Sequence, residues 1–275
     1  VPGTGGGVNY RHAYHAGNHG DCLKHALLVA LLEALRRKDT PFGVADLHAG
    51  RGVYDLSGPE ASRTGEWRGG ILKLLEDTPA PLRGYVSLVQ RLGLYPGSPA
   101  LIRALLREGD RLVLNERHPE EFAALSAWAG RDPRITLRQG DAYALRGVLP
   151  PGGLKRGLVL FDPPYEAEDE IDRLARALVA AHRAAPTLIL AAWYPIKHLA
   201  PVRALRDSVR DARLPRRVDV ALHLRPPLDP ARLNGSGLLV INVPWRFEEE
   251  ARAIVAALKE RLAEADGSVH LEAAA

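Results

Sequence analysis

Apolar side chains recur at Leu23, Leu27, Ala30, Leu31, Ala34 and Leu35, three and four positions apart, which is the repeat of one helix face. Asp21 stands where a cap belongs, and Arg36, Arg37 and Lys38 gather at the far end, where the helix dipole favours cations. The pattern predicts a first helix. Short apolar runs then follow at Gly43 to His48, Asp110 to Asn115, Arg134 to Arg138, Gly157 to Phe161 and Leu188 to Trp193, and read as strands. Helical spacing fills the gaps near 119 to 129, 142 to 149, 168 to 185 and 198 to 212. Strands alternating with helices predict an α/β fold with a mostly parallel sheet covered on both faces. Arg217 to Leu224 and Gly237 to Val243 break the alternation, because only the loop Arg225 to Ser236 separates them, and an antiparallel pair at the sheet edge is expected. A last helix is predicted over about 247 to 264.

The strand ends carry the polar chemistry. The first ends in Asp46-Leu47-His48-Ala49-Gly50-Arg51-Gly52, a glycine turn of the kind that lets backbone approach a nucleotide-like cofactor, although His48 stands where such a turn usually opens with glycine. The second ends in Glu116, placed as an acceptor for ribose hydroxyls. That carboxylate usually follows the glycine turn by about 20 residues. Here it follows Gly52 by 64, which predicts an insertion over 53 to 97 with helices near 66 to 76 and 80 to 92. Gly97-Ser98-Pro99 restarts the core helix, and Ser98 serves either as its cap or as a cofactor contact. Asp141, after the third strand, either caps a following helix or contacts an adenine amino group of an adenosyl cofactor.

Asp162-Pro163-Pro164-Tyr165 follows the fourth strand and is the most informative tetrapeptide of the chain. An exocyclic amine on a nucleobase is a poor nucleophile because its lone pair is delocalised into the ring. Acceptors on both N–H bonds favour the pyramidal, positively charged transition state. Asp162 supplies one acceptor and the Pro163 carbonyl another, since two prolines hold the backbone extended and keep carbonyls out of a helix. Tyr165 supplies a ring to stack on the base. A Pro-Pro turn at a strand end is the plainer reading, but ligands of open α/β sheets sit at this edge.

The chain has 275 residues, 46% of them hydrophobic, enough for one large domain or one domain with an insertion. No apolar run approaches the length of a membrane span, and the start lacks a signal-peptide layout, so a cytoplasmic protein with no membrane partner is expected. The single cysteine, Cys22, leaves no intrachain disulfide or thiolate zinc cluster. The net charge of +4 favours an anionic partner without identifying it. Only six of the 37 basic residues are lysine, an arginine excess equally expected from genome composition or heat adaptation. No exposed hydrophobic stripe compels a dimer, so a monomer with no obligatory protein partner is expected. Residues 1 to 7 and 266 to 275 are expected to lie outside the fold.

The segment from Tyr10 to His25 is dense in polar and aromatic groups. His15 and His19 have helical spacing for two metal ligands, but Gly17 and Gly20 oppose a helix there and no carboxylate-rich partner motif accompanies them; no metal is expected. Lys24 lies in the first turn of the first helix, where a cation opposes the dipole, and an offsetting anion is expected: a cofactor carboxylate or an RNA phosphate. A solvated lysine is the alternative.

Taken together, Tyr10-Arg11-His12-x-x-His15-Ala16-Gly17-Asn18-His19-x-Asp21-x-x-Lys24-His25, Asp46-x-His48-Ala49-Gly50-x-Gly52, Arg63-Thr64-Gly65-Glu66, Tyr95-Pro96-Gly97-Ser98-Pro99 and Asp162-Pro163-Pro164-Tyr165 closely resemble the RlmJ-type 23S ribosomal RNA adenine-N6 methyltransferases. The resemblance spans about residues 8 to 265 and is most specific in the opening motif. It implies a Rossmann-like methyltransferase fold with an inserted helical subdomain, S-adenosyl-L-methionine as cofactor and an adenine of 23S rRNA as substrate. It further implies that Lys24, His25, His48, Ser98, Glu116, Asp141 and Ala142 line the cofactor together with Asp162, which is catalytic. On the substrate side it implies Tyr10 and His12 as a flap over the base, beside Pro163, Pro164 and Tyr165. Asn242-Val243-Pro244-Trp245 departs from relatives that carry a second Pro-Pro there, and is assigned no catalytic role. A DNA adenine methyltransferase and a noncatalytic RNA-binding protein of the same fold are the rival readings.

Overall fold

The computed structural model describes residues 11 to 274. In chain order the strands are β1 (Gly43–Asp46), β2 (Val53–Tyr54), β3 (Tyr95–Pro96), β4 (Arg111–Asn115), β5 (Ile135–Arg138), β6 (Gly157–Phe161), β7 (Ile189–Ile196), β8 (Arg217–His223), β9 (Gly235–Ile241) and β10 (Ser268–Ala274). The helices are α1 (His19–Arg36), α2 (Pro59–Thr64), α3 (Ile71–Glu76), α4 (Arg83–Leu92), α5 (Ser98–Leu105), α6 (Pro119–Ala129), α7 (Glu170–Ala184), α8 (Leu199–Asp211) and α9 (Phe247–Leu262). Eight strands form one sheet in the order β10-β8-β9-β7-β6-β1-β4-β5. From β7 to β5 neighbouring strands are parallel, while β9 runs against both β7 and β8, and β10 runs against β8.

The inner parallel strands are mostly apolar because both faces are covered. Alternate residues divide between two cores. Val44, Leu112 and Leu158 join Leu23, Leu27 and Leu31 of α1, Leu101 of α5 and Leu258 of α9. Ala45, Val113 and Val159 point the other way, onto Leu174 and Leu178 of α7 and Leu205 of α8. Each leucine buried this fully contributes about 1.5–3 kcal/mol. No helix among the described residues is long and apolar enough to cross a membrane.

Four local expectations are corrected. The cap of α1 is Asn18, whose side chain accepts from the Asp21 amide at 3.0 Å, so Asp21 sits inside the first turn. Residues 142 to 149 form turns rather than a helix: Gly147 holds a positive φ and the Asp141 carboxylate folds back onto the Tyr143 amide. The antiparallel strands are not an edge pair, since β9 is wedged between β7 and β8 and β10 covers β8. Consequently residues 268 to 274 belong to the sheet, paired with β8 from Ser268 opposite His223 to Ala274 opposite Arg217.

Between β1 and α5 the chain leaves through β2 and returns through β3, which pair antiparallel, so α2, α3 and α4 hang from one point beside the sheet. The α3 end is pinned to the segment before α1: the Ile71 amide donates to the Gly17 carbonyl at 2.9 Å. Gly70 makes that approach possible, because a Cβ there would lie 2.2 Å from the Gly17 oxygen. Glu66 completes the junction, accepting from Asn18 Nδ2 at 3.0 Å and pairing with His15 Nδ1 at 2.9 Å.

Candidate active site

Because β1, β4, β5 and β6 are parallel, the residues that follow them emerge along one sheet edge. His48, Glu116, Asp141 and Asp162 are all set there by their positions just past those strands. After β1 the chain turns through Gly50 and Gly52, with φ of 62° and 91°. Glu116 closes on this turn, accepting from the Gly50 amide at 2.8 Å and the His118 amide at 2.7 Å. Burial pushes its carboxyl above the ordinary value, the two amides opposing. Asp141 is exposed, takes the Tyr143 amide at 3.1 Å and lies 3.4 Å from Arg173 Nη2; with no helix after it, the capping reading falls. The neighbouring Ala142 is buried.

Ser98 is the first residue of α5, whose cap is Gly97, so the capping reading falls here as well. Its hydroxyl donates instead to Asp46 Oδ2 at 2.6 Å. Asp46 is wholly buried, and burial pushes its carboxyl up to about 7 against the hydrogen bond from Ser98. His48 is held at about 4 by burial and is therefore neutral near pH 7. Its Nδ1 accepts the Asp162 amide at 3.2 Å, which puts its proton on Nε2. His25, buried inside α1, pairs through Nδ1 with the Tyr95 hydroxyl at 3.1 Å, which in turn meets the Tyr85 hydroxyl at 3.0 Å; burial lowers His25 to about 3.

The centre of the site is a line of charges. Lys24 Nζ lies 2.6 Å from Asp162 Oδ2 and 2.9 Å from Asp21 Oδ1. Burial alone would lower the Lys24 pKa, but Asp162 and Asp21 outweigh it and hold the ammonium above the usual lysine value. The anion expected beside Lys24 is thus a pair of the protein's own carboxylates. Asp21 Oδ2 accepts from the Gly17 amide and faces His12 Nε2, both at 2.9 Å. Tyr10 lies outside the described residues.

Asp162 Oδ1 has no hydrogen-bond partner among the described residues, and neither has the Pro163 carbonyl. Beyond the two prolines Tyr165 takes a positive φ of 54°, and its hydroxyl donates to the Trp193 carbonyl at 2.5 Å. The Tyr165 ring stands edge-on to Trp193, with centroids 5.9 Å apart, and Lys24 Nζ lies 5.7 Å from the Trp193 ring centre. Asp21, Asp46, Glu66 and Trp193 were given no site role from the sequence. Only the three-residue step from Asp21 to Lys24 on one helix face signalled a pairing.

A parallel sheet with a reversed strand wedged next to the last parallel one, and an acidic Pro-Pro-aromatic turn at its carboxyl edge, define a Rossmann-like methyltransferase. Comparison with known proteins agrees. The family model described as "Ribosomal RNA large subunit methyltransferase D, RlmJ" matches residues 39–274. The chain is 34% identical over 264 residues to "Ribosomal RNA large subunit methyltransferase J" of Escherichia coli (strain K12), covering 93% of this chain and 94% of that one. It is 33% identical over 265 residues to the protein of the same name from Haemophilus influenzae, with the same coverage. A crystal structure of protein LPL1258 from Legionella pneumophila superposes with a TM-score of 0.86 at 31% identity, covering 94% of this chain and 98% of that one. The chain belongs to the RlmJ family of ribosomal RNA large subunit methyltransferases.

Proposed function

We propose that the protein transfers a methyl group from S-adenosyl-L-methionine to the exocyclic N6 of an adenine in 23S rRNA, acting in the cytoplasm as a monomer. The observation that carries this reading is Asp162, held through Oδ2 with Oδ1 free of hydrogen-bond partners among the described residues, one residue before a carbonyl equally unengaged among them. Two acceptors side by side suit the two N–H bonds of an aromatic amine as its nitrogen pyramidalises. Family membership supports the ribosomal substrate.

The residues fit the cofactor. Glu116 sits against the glycine turn with a lone pair left on each oxygen for ribose hydroxyls. Asp141, exposed at the next strand end, suits the adenine amino group, with buried Ala142 beside it as apolar wall. His48, neutral and with a donor at Nε2, and the Ser98 and Asp46 pair complete the donor set, and buried His25 supports it through Tyr95. Bound there, S-adenosylmethionine supplies an electrophilic methyl group. The chain itself orients the amine. Asp162 Oδ1 and the Pro163 carbonyl accept hydrogen bonds from its two N–H groups, Pro164 keeps the turn extended, and Tyr165 offers a ring to a base taken out of its stack. His12, with Tyr10 before it, closes over the base.

The test is incubation with labelled S-adenosylmethionine and unmodified 23S rRNA, with duplex DNA in parallel, followed by digestion and identification of the methylated nucleoside. N6-methyladenosine from RNA alone is expected, and Asp162→Ala is expected to abolish it while cofactor binding persists. Product from DNA alone would refute the substrate class, and more than a few per cent of wild-type rate in Asp162→Ala would refute the catalytic role.

A further inference from the structure

We infer that Asp21 is a positioning residue for methyl transfer: acting through Lys24, it fixes the Asp162 carboxylate in the orientation that leaves Oδ1 free, and through His12 it joins that setting to the segment before α1. The inference rests on the role given to Asp162 above. Several groups converge on one carboxyl. Asp21 is 2% exposed, yet Oδ2 takes the Gly17 amide and faces His12 Nε2, while Oδ1 takes Lys24.

A buried carboxylate in the first turn of a helix is ordinarily there to cap it. Asn18 already does so, since its side chain accepts the Asp21 amide and its carbonyl accepts the Cys22 amide. The Asp21 carboxylate is directed elsewhere. Three residues on, Lys24 rises from the same helix face, and its ammonium, on a side chain 5% exposed, pairs with two carboxylates, Asp21 at 2.9 Å and Asp162 at 2.6 Å. Lys24 is also the only group that meets the Asp162 carboxylate among the hydrogen bonds of the described residues. Without it no hydrogen bond among the described residues fixes that carboxylate.

An ammonium between two carboxylates is held from both sides. Removing Asp21 leaves Lys24 attached to Asp162 alone and free to follow it, so the fixed point of the arrangement is lost. Burial opposes the charged form of Asp21, and the charges of His12 and Lys24 with the hydrogen bond to His12 outweigh it and hold its carboxyl well below the usual range. Asp21 touches no reacting atom. A misplacement of about 1 Å at a reacting group costs on the order of 100-fold in rate, which sets the expected size of the effect.

The experiment compares wild type, Asp21→Asn, Lys24→Met and the double variant. It reads single-turnover methylation of 23S rRNA at saturating S-adenosylmethionine, cofactor affinity by calorimetry, and the melting temperature. Each single variant is expected to slow transfer about 10- to 100-fold, with cofactor Kd within about threefold of wild type, and the double variant is expected to be no slower than the slower single one. Multiplicative losses in the double variant, a wild-type rate in Asp21→Asn, or a Kd raised more than tenfold in Lys24→Met with the rate restored at saturation would each overturn the inference. Should Asp21→Asn lose its folding transition, Lys24→Met decides alone, by loss of rate against loss of affinity. If wild type forms no N6-methyladenosine, the reaction itself is misread and the inference falls with it; product from wild type with any of the overturning results refutes the inference alone.

Discussion

Replacing Asp46 by asparagine should remove a pH dependence built into the first strand. Asp46 is fully buried at the end of β1, accepts the Ser98 hydroxyl at 2.6 Å, and has its carboxyl pushed up to about 7 from 3.8 by burial. Raised in the folded state, the group binds more protons folded than unfolded between those limits, so its contribution to stability falls as pH rises through the window from about 4 to 7. Each pH step in that window is worth about 1.4 kcal/mol, which gives about 4 kcal/mol in full and about 2.5–3 kcal/mol between pH 5 and pH 8. Asparagine cannot ionise, and its carbonyl still accepts from Ser98. Urea unfolding of both proteins at pH 5, 6, 7 and 8 isolates the effect, because the other titrating groups cancel in the difference. Asp46→Asn should gain about 2.5–3 kcal/mol on wild type across that range. A difference constant to within about 0.5 kcal/mol would show that Asp46 ionises in the folded protein as it does in the unfolded chain.

Gly70→Ala places a Cβ 2.2 Å from the Gly17 carbonyl and should cost about 1–3 kcal/mol as an overpacking change, with faster proteolysis between β2 and β3; an unchanged melting temperature would contradict the close approach. Glu116→Ala should raise the Kd for S-adenosylmethionine about tenfold or more, measured by calorimetry, on the scale of a hydrogen bond to a charged group. Unchanged affinity would remove Glu116 from the ribose site. Tyr165→Ala should raise KM for RNA while leaving cofactor affinity alone, in line with a stacking contribution of about 1–3 kcal/mol. A change confined to cofactor affinity would move Tyr165 out of the base site.

The parallel half of the sheet was legible because each of its strands is an apolar run ending in a charged or glycine residue, and Asp162, Glu116 and Asp141 could be placed on one edge from that alone. Periodicity carried α1 but mislaid its cap, since Asn18 and Asp21 are both good cap residues and only the fold shows which side chain turns inward. The stretch 142 to 149 has helical spacing but ends against Pro150 and Pro151, and turn hydrogen bonds from Asp141 win locally. Strand order at the far end was out of reach: β8 and β9 are adjacent in sequence and in the sheet, yet nothing in their composition says that β9 takes the inner place. Lys24 illustrates the same limit in the site. Its charge in a first helical turn signalled a missing anion, but one of the two carboxylates that meet it, Asp162, lies 138 residues away and is brought there by the sheet.

The wedging of β9 between β7 and β8 also bears on how the protein comes into being. Helix α1, which carries Lys24 and Asp21, lies against β9 and α9, and Arg37 at its end pairs with Glu250. An early helix therefore finds two of its main packing partners late in the chain. Domains fold as units during synthesis, and β9 and α9, against which α1 packs, are complete only when residues 235 to 262 have emerged, so Lys24 and Asp162, both already made, gain the full support of their surroundings only then.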